Sequence, residues 1–259
     1  MEATRTVALL GMSAAVGVVG ALTGLGGGVL LVPLLTLGFG LDIRTAAGTS
    51  LLCLVGTQVG VGQALRGTGL VDERAAVPLA LASLCGAWVG AEVAGWVPRR
   101  ILYLLFGGIM GGTVVAMLAR PVQQELAGPQ GPGTSAARQV AAIASMAAAG
   151  VLSGLLGIGG GALNVAVMHL ILQLPLPSAA ATSSFLHGVK ALAGLAAYWA
   201  RGDVAPLQAA PAVLGVVWGS TWGGRLLARV PGRVVRAAFL PLVAWVAVQM
   251  FRRGLQTGW

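Results

Sequence analysis

Charge is what this sequence has least of. Only 9% of its 259 residues are charged, and just 7 are Asp or Glu. A soluble domain carries roughly 25% charged residues. A chain this poor in them cannot cover a globule with polar surface, so its solvent is lipid. The shortage of carboxylates also argues against an intramembrane enzyme acting on lipid, which needs Asp, Glu or His clustered around its reaction. The two cysteines, Cys53 and Cys85, each lie inside an apolar run with no ligand spacing around them. A disulfide framework or zinc site is therefore unsupported, and both read as small buried packing residues. Lysine occurs once, at Lys190, so arginine supplies nearly all of a net charge of +9. The arginines are scattered through short loops and do not line one face, which leaves nucleic acid a poor partner and membrane lipids a simple one. Nothing calls for a cofactor.

What the chain has instead is apolar length. It is 57% hydrophobic, with a mean hydropathy of +0.88. A helix needs ~20 apolar residues to cross the hydrocarbon core, and apolar runs recur from residue 7 to residue 251. The 41 glycines suit this setting, because small residues let membrane helices approach closely. Gly86-x-x-x-Gly90 and Gly219-x-x-x-Gly223 fit that use. The first apolar run resembles a removable leader. Yet the stretch from Gly17 to Val32 recurs later, so it is read as part of the fold.

The recurrence is general. At one fixed offset of 133 residues, Gly24, Gly26, Gly27 and Gly28 match Gly157, Gly159, Gly160 and Gly161. Thr49 and Ser50 match Thr182 and Ser183, Pro78 matches Pro211, Pro98 matches Pro231, and Phe106 matches Phe239. The fold expected is all-α: a polytopic transmembrane bundle of two tandem homologous repeats, 1–120 and 139–259, joined by a Gly/Pro/Gln/Ser-rich linker at 121–138. Each half divides into five apolar segments, and its first two are too short to span alone. They form either one broken helix, giving eight crossings, or a re-entrant hairpin, which inverts the repeats. The arginines divide almost evenly between faces in both schemes, so charge leaves topology and orientation open.

Gly24-Leu25-Gly26-Gly27-Gly28 and Gly157-Ile158-Gly159-Gly160-Gly161 mark the interruptions. The second copy has the glycine spacing of a dinucleotide fingerprint, but neither copy follows a strand and both lie within spans. Unwound backbone at membrane depth survives only when buried in protein or lining a polar cavity. Restarting a helix there presents unpaired N–H groups to a ligand. The alternative is a tight helix crossing that needs glycine. The paired hydroxyls Thr49, Ser50, Thr182 and Ser183 recur in register and suit a shared polar cavity, though such groups also bond back to their own helices. Three polar residues belong to one half only: Asn164 replaces Leu31, His187 replaces Leu54, and Lys190 replaces Thr57. His187 and Lys190 share a helix face at i and i+3. They suit attraction of an anion or carriage of a coupling proton, unless Lys190 reaches the interface. His169 lies nearer a span end and reads as structural. Glu92 and its counterpart Arg225 either pair or reach the headgroups separately. Trp88, Trp96, Trp199 and Trp222 read as interface anchors. The substrate-binding set is thus Gly26, Gly27, Gly28, Thr49, Ser50, Gly159, Gly160, Gly161, Asn164, Thr182, Ser183, His187 and Lys190, with no catalytic residue and no metal ligand.

At these residues the chain resembles the sulfite exporter TauE/SafE family of membrane permeases. The resemblance rests on the first glycine run leading into Val32-Pro33, the Ala-x-x-Thr-Ser stretch after it, and the same order in the second half, where Ala166 stands in place of Pro33. That substitution allows the kink geometry to differ between halves. The resemblance implies a multi-pass transporter of sulfite, a sulfonate or another organic anion in a bacterial or archaeal cytoplasmic membrane, with a proton or ion as possible coupling partner. An anion channel or a non-transporting scaffold subunit is the competing reading.

Overall fold

The computed structural model describes residues 2–23, 27–65, 73–119, 136–161, 164, 167–174, 176–227 and 232–257. Gly24, Leu25, Gly26 and nearly all of the expected linker lie outside that set. Every regular element among the described residues is helical. The first half runs α1 (Glu2–Thr23), α2 (Gly28–Pro33) continuing into a π-helical turn π1 (Leu34–Gly38), then α3 (Ile43–Leu65), α4 (Glu73–Ala94) and α5 (Arg99–Ala119). The second runs α6 (Ala136–Leu156), a π-helical turn π2 (Val167–Ile171), α7 (Leu176–Ala200), α8 (Pro206–Leu227) and α9 (Gly232–Gln256). In hydrocarbon every backbone polar group must be paired within the segment, which leaves the helix as the form for such runs. By length and apolarity alone, the stretches Thr4–Leu22, Ala76–Ala94 and Ala136–Leu156 can cross a membrane.

The element bounds recur at the offset seen in the sequence: π1 and π2 begin at Leu34 and Val167, and α4 and α8 at Glu73 and Pro206. Even the local irregularity recurs. Leu41 N–H donates to Leu35 O at 3.0 Å, and Leu174 N–H donates to Met168 O at 3.1 Å. A π turn thus forms in both halves, following Pro33 in the first and starting at Val167 in the second; Ala166, on which the expected difference in kink turns, lies outside the described residues.

Glycine contacts fix the helix directions. Gly215 and Gly219 of α8 lie against the backbone of Leu10 and Ala14 of α1, so these two run parallel. Gly150 and Gly154 of α6 lie likewise against Ser83 and Ala87 of α4. A Cβ at any of these four positions would collide with a backbone oxygen of the neighbouring helix, which is why small residues stand there. The pairs that correspond between halves run antiparallel instead. Gly194 and Gly188 of α7 meet Leu51 and Gln58 of α3, and Gly107 and Gly254 bring α5 and α9 together head to tail. Helices carried straight through a broken segment would place α3 and α7 parallel. The segment after each first helix must therefore turn back. Arg138 at the start of α6 confirms the return, donating to Gln173 Oε1 at 2.9 Å at the far end of the arm. Of the two topologies open in sequence, the re-entrant hairpin is the one observed.

One face of the bundle gathers the start of α3 and α5 with the ends of α4 and α7. There Arg99 pairs with Asp42 at 3.0 Å, and Arg201 bridges Asp203 at 3.0 Å and Glu92 at 3.5 Å. Glu92 thus has Arg201, not Arg225, as its partner; antiparallel counterparts place Arg225 at the opposite face. Trp88, Trp96, Trp199 and Trp222 are all exposed on the outer surface. Cys53 is buried, whereas Cys85 is exposed on α4 and does not pack in the core as the sequence suggested.

Candidate functional site

The second interruption is fully described from Gly157 to Gly161. Helix α6 ends normally, with Gly157 N–H donating to Ser153 O at 2.8 Å. The chain then takes left-handed backbone at Gly157, Gly159 and Gly160, with φ of 70°, 71° and 71°. A side chain costs roughly 1–2 kcal/mol in that conformation, so glycine makes the reversal. The returning arm restarts on Gly160, whose carbonyl accepts Asn164 N–H at 3.1 Å. The first arm restarts the same way on Gly27, whose carbonyl accepts Leu30 and Leu31 N–H at 3.2 and 2.9 Å. The two turns touch: a Cβ on Gly28 would lie 2.8 Å from Gly157 O. The interruptions foreseen in sequence therefore meet inside the protein.

The three polar residues particular to the second half converge on its turn. Lys190 Nζ donates to Asn164 Oδ1 at 2.7 Å. Both side chains are 0% exposed, and His187 is 4% exposed. A Cβ on Gly160 would stand 3.3 Å from Lys190 Nζ, and one on Gly159 would stand 3.4 Å from His187 Cδ2. Lys190 falls near the middle of α7, too far from either end for its amine to reach a headgroup, which sets aside the interfacial alternative. No acidic residue among the described ones forms an ion pair with it. Asn164 Nδ2, His187 Nε2 and Ser153 Oγ are buried without any hydrogen-bond partner. Buried polar atoms left without a partner are costly, at about 1–3 kcal/mol each.

A cavity of about 80 Å³ opens on the side of Gly160 and Ser153, lined chiefly by apolar groups of Val29, Ile109, Met110, Leu152 and Ile158; Asn164, His187 and Lys190 are not among its lining residues. One water needs ~10–15 Å³ of such space, so the volume admits several waters, but the walls are almost wholly apolar and offer an anion few donors. Ser153, which stands where the first half has Gly20, was not singled out in the sequence. Its place one turn before the glycines is the signal that would have found it.

The hydroxyls divide. Ser50 Oγ donates to Gly157 O at 2.9 Å and Ser183 Oγ donates to Gly161 O at 3.5 Å, so both serines hold turn carbonyls. Thr49 is placed elsewhere: its oxygen accepts Ala205 N–H at 3.2 Å, at the start of α8. Thr182 is buried. The side chain of His169 and all of Gly26 lie outside the described residues.

The chain matches the family model described as "Sulfite exporter TauE/SafE" over residues 9–250. Among curated proteins it is similar to a "Probable membrane transporter protein YunE" of Bacillus subtilis, 31% identical over 231 residues that cover 81% of this chain and 82% of the relative. It is also similar to a "Probable membrane transporter protein YdhB" of the same organism, 24% identical over 222 residues covering 86% and 90%. No solved structure matches.

Proposed function

The chain belongs to the sulfite exporter TauE/SafE family of membrane transporters, and from that premise we propose that it is a secondary carrier moving a small anion, sulfite or a related sulfur-containing or organic anion, through a cytoplasmic membrane. The observation that carries this reading is Lys190, a buried amine at mid-depth whose hydrogen-bond partner, Asn164, brings no negative charge. An anion beside Gly160 would supply that charge. It would also accept from Asn164 Nδ2, which has no other acceptor. The glycines Gly27, Gly28, Gly159, Gly160 and Gly161 contribute close backbone approach, and the first amides of the restarted second arm add donors. Ser50, Ser183 and Thr182 shape the turns around the ligand. His187, one helical turn from Lys190, is the group we assign to a coupling proton.

We read the two halves, 1–120 and 139–259, as an inverted duplication. Inversion makes exchange between the two halves' conformations equivalent to opening a midplane site to the opposite face. Purified protein in liposomes tests the reading. Saturable flux of sulfite, sulfate, thiosulfate or a simple sulfonate is the expected result. Absence of flux and binding for all of them removes the substrate class, and flux that never saturates replaces the carrier with a channel.

A further inference from the structure

The end of α9 carries Gln249, Arg252, Arg253 and Gln256. That spacing of i, i+3, i+4 and i+7 puts four side chains on one helix face. With Leu37 of π1 they line a second cavity, of about 260 Å³. Its polar lining consists of guanidinium and carboxamide groups, with no carboxylate among the lining residues. The nearby carboxylate of Asp42 is engaged by Arg99. Arg253 Nη1 donates to the carbonyl of Thr36, within π1. Basic residues at a helix C-terminus are favoured by the helix dipole and by anionic headgroups. That accounts for arginines pointing outward. It does not account for two guanidiniums and two amides converging on one concavity.

We propose that this basic mouth is a second anion site, which takes the cargo oxyanion at one membrane face before it enters the hairpin region. The inference rests on the reading that the cargo is an anion. Guanidinium is suited to the task, because its fork of N–H donors matches two oxygens of an oxyanion at once. The carboxamides add neutral donors that do not raise the affinity beyond release. At the same offset in the sequence stand Ala116, Ala119, Arg120 and Gln123, so two of the four polar residue types do not recur in the first half. Arg253 ties the mouth to the returning arm of the first hairpin, whose other end touches the second turn.

Arg252 is the residue to test, since it is exposed and its substitution leaves the Thr36 contact in place. Sulfite flux is measured for wild type, Arg252→Glu and Arg252→Lys in vesicles of phosphatidylcholine alone and with added phosphatidylglycerol. At low salt the half-saturating sulfite concentration should rise about tenfold for Arg252→Glu, the lower range of electrostatic focusing. It should rise far less for Arg252→Lys, in both lipid mixtures, and the gap should close as salt screens the charge. Equal half-saturation in all three proteins overturns the proposal. So does a change confined to vesicles containing phosphatidylglycerol, which would make the mouth a lipid-headgroup site. Wild-type flux with an unaffected Arg252→Glu variant sinks this inference alone, whereas no wild-type flux sinks the transport reading along with it.

Discussion

The turn after α1 and the turn after α6 share a glycine pattern, but where both are described, at the start of the returning arm, they differ in backbone conformation and in neighbours. Gly27 is right-handed, with φ −62° and ψ −20°, whereas its counterpart Gly160 is left-handed at φ 71°. Around the first turn stand Leu31 and Leu54, both fully buried, and Thr57, whose hydroxyl is spent on Leu54 O at 2.8 Å. Around the second stand Asn164, His187 and Lys190, with donors left over. Leu54 caps the contact from the first-half side, lying within about 3 Å of Cβ positions on both Gly28 and Gly159. Two similar segments thus do different work. One is packed by apolar side chains, and the other gathers buried polar ones. A similar backbone element recurs in both halves, and the side chains around it diverge in the second.

Substituting Lys190 should sharpen that contrast most. Lys190→Met keeps the length of the side chain and removes the charge. Truncating one partner of a buried charged contact costs about 2–5 kcal/mol, so flux into liposomes should fall by ~30-fold or more. Thermal stability should hold or rise, because a buried amine without a countercharge is replaced by an apolar chain. Flux retained near the wild-type level would erase the functional distinction between the turns.

Next in size is the glycine pair. Gly160→Ala forces a left-handed alanine, at roughly 1–2 kcal/mol, and sets a methyl 3.3 Å from Lys190 Nζ. Gly27→Ala meets Val216 Cγ1 at 3.4 Å in ordinary contact and has helical backbone. Thermal unfolding in detergent should register a clear loss for the first and little for the second. Equal losses would mean the two turns are conformationally alike.

Asn164→Leu installs the first-half residue in the second half. It deletes the acceptor of the 2.7 Å bond from Lys190. Hydrogen bonds to charged groups contribute ~1.5–3 kcal/mol, so the half-saturating anion concentration should rise about tenfold. An unchanged value would remove Asn164 from the site.

The smallest effect separates the serines. Ser50→Ala loses a 2.9 Å bond to Gly157 O, near 1 kcal/mol by the usual measure. Ser183→Ala loses only a 3.5 Å contact. A chemical-denaturation series should rank Ser50→Ala as the more destabilised, and the reverse order would show that the turns lean on the opposite serines.

Much of this was open to a reader of the sequence. The interruptions at Gly27–Gly28 and Gly157–Gly161 announced themselves through glycine density inside apolar runs, and Asn164, His187 and Lys190 through departing from an otherwise matched half. The hairpin was not readable, since arginine counts were even and a short apolar segment has the same composition whether it continues or returns. Thr49 misled for a related reason. A hydroxyl's spacing from its neighbours says nothing about which backbone N–H it will meet 156 residues away. The basic stripe at the end of α9 was missed in the sequence, where the arginines read as scattered, and packing against Leu37 made it a concavity.

The sequence by itself determined the solvent, the helices, the places where they stop and the one half that carries polar residues. Each follows from local composition: too few charges for water, apolar runs of membrane length, and backbone freedom that only consecutive glycines supply. The tertiary structure alone decided the return of each hairpin, the meeting of the two turns, and the pairing of Lys190 with Asn164, with no ion pair to a carboxylate among the described residues. Those depend on contacts between segments far apart in the chain, and nothing in a single segment records which distant backbone will close against it.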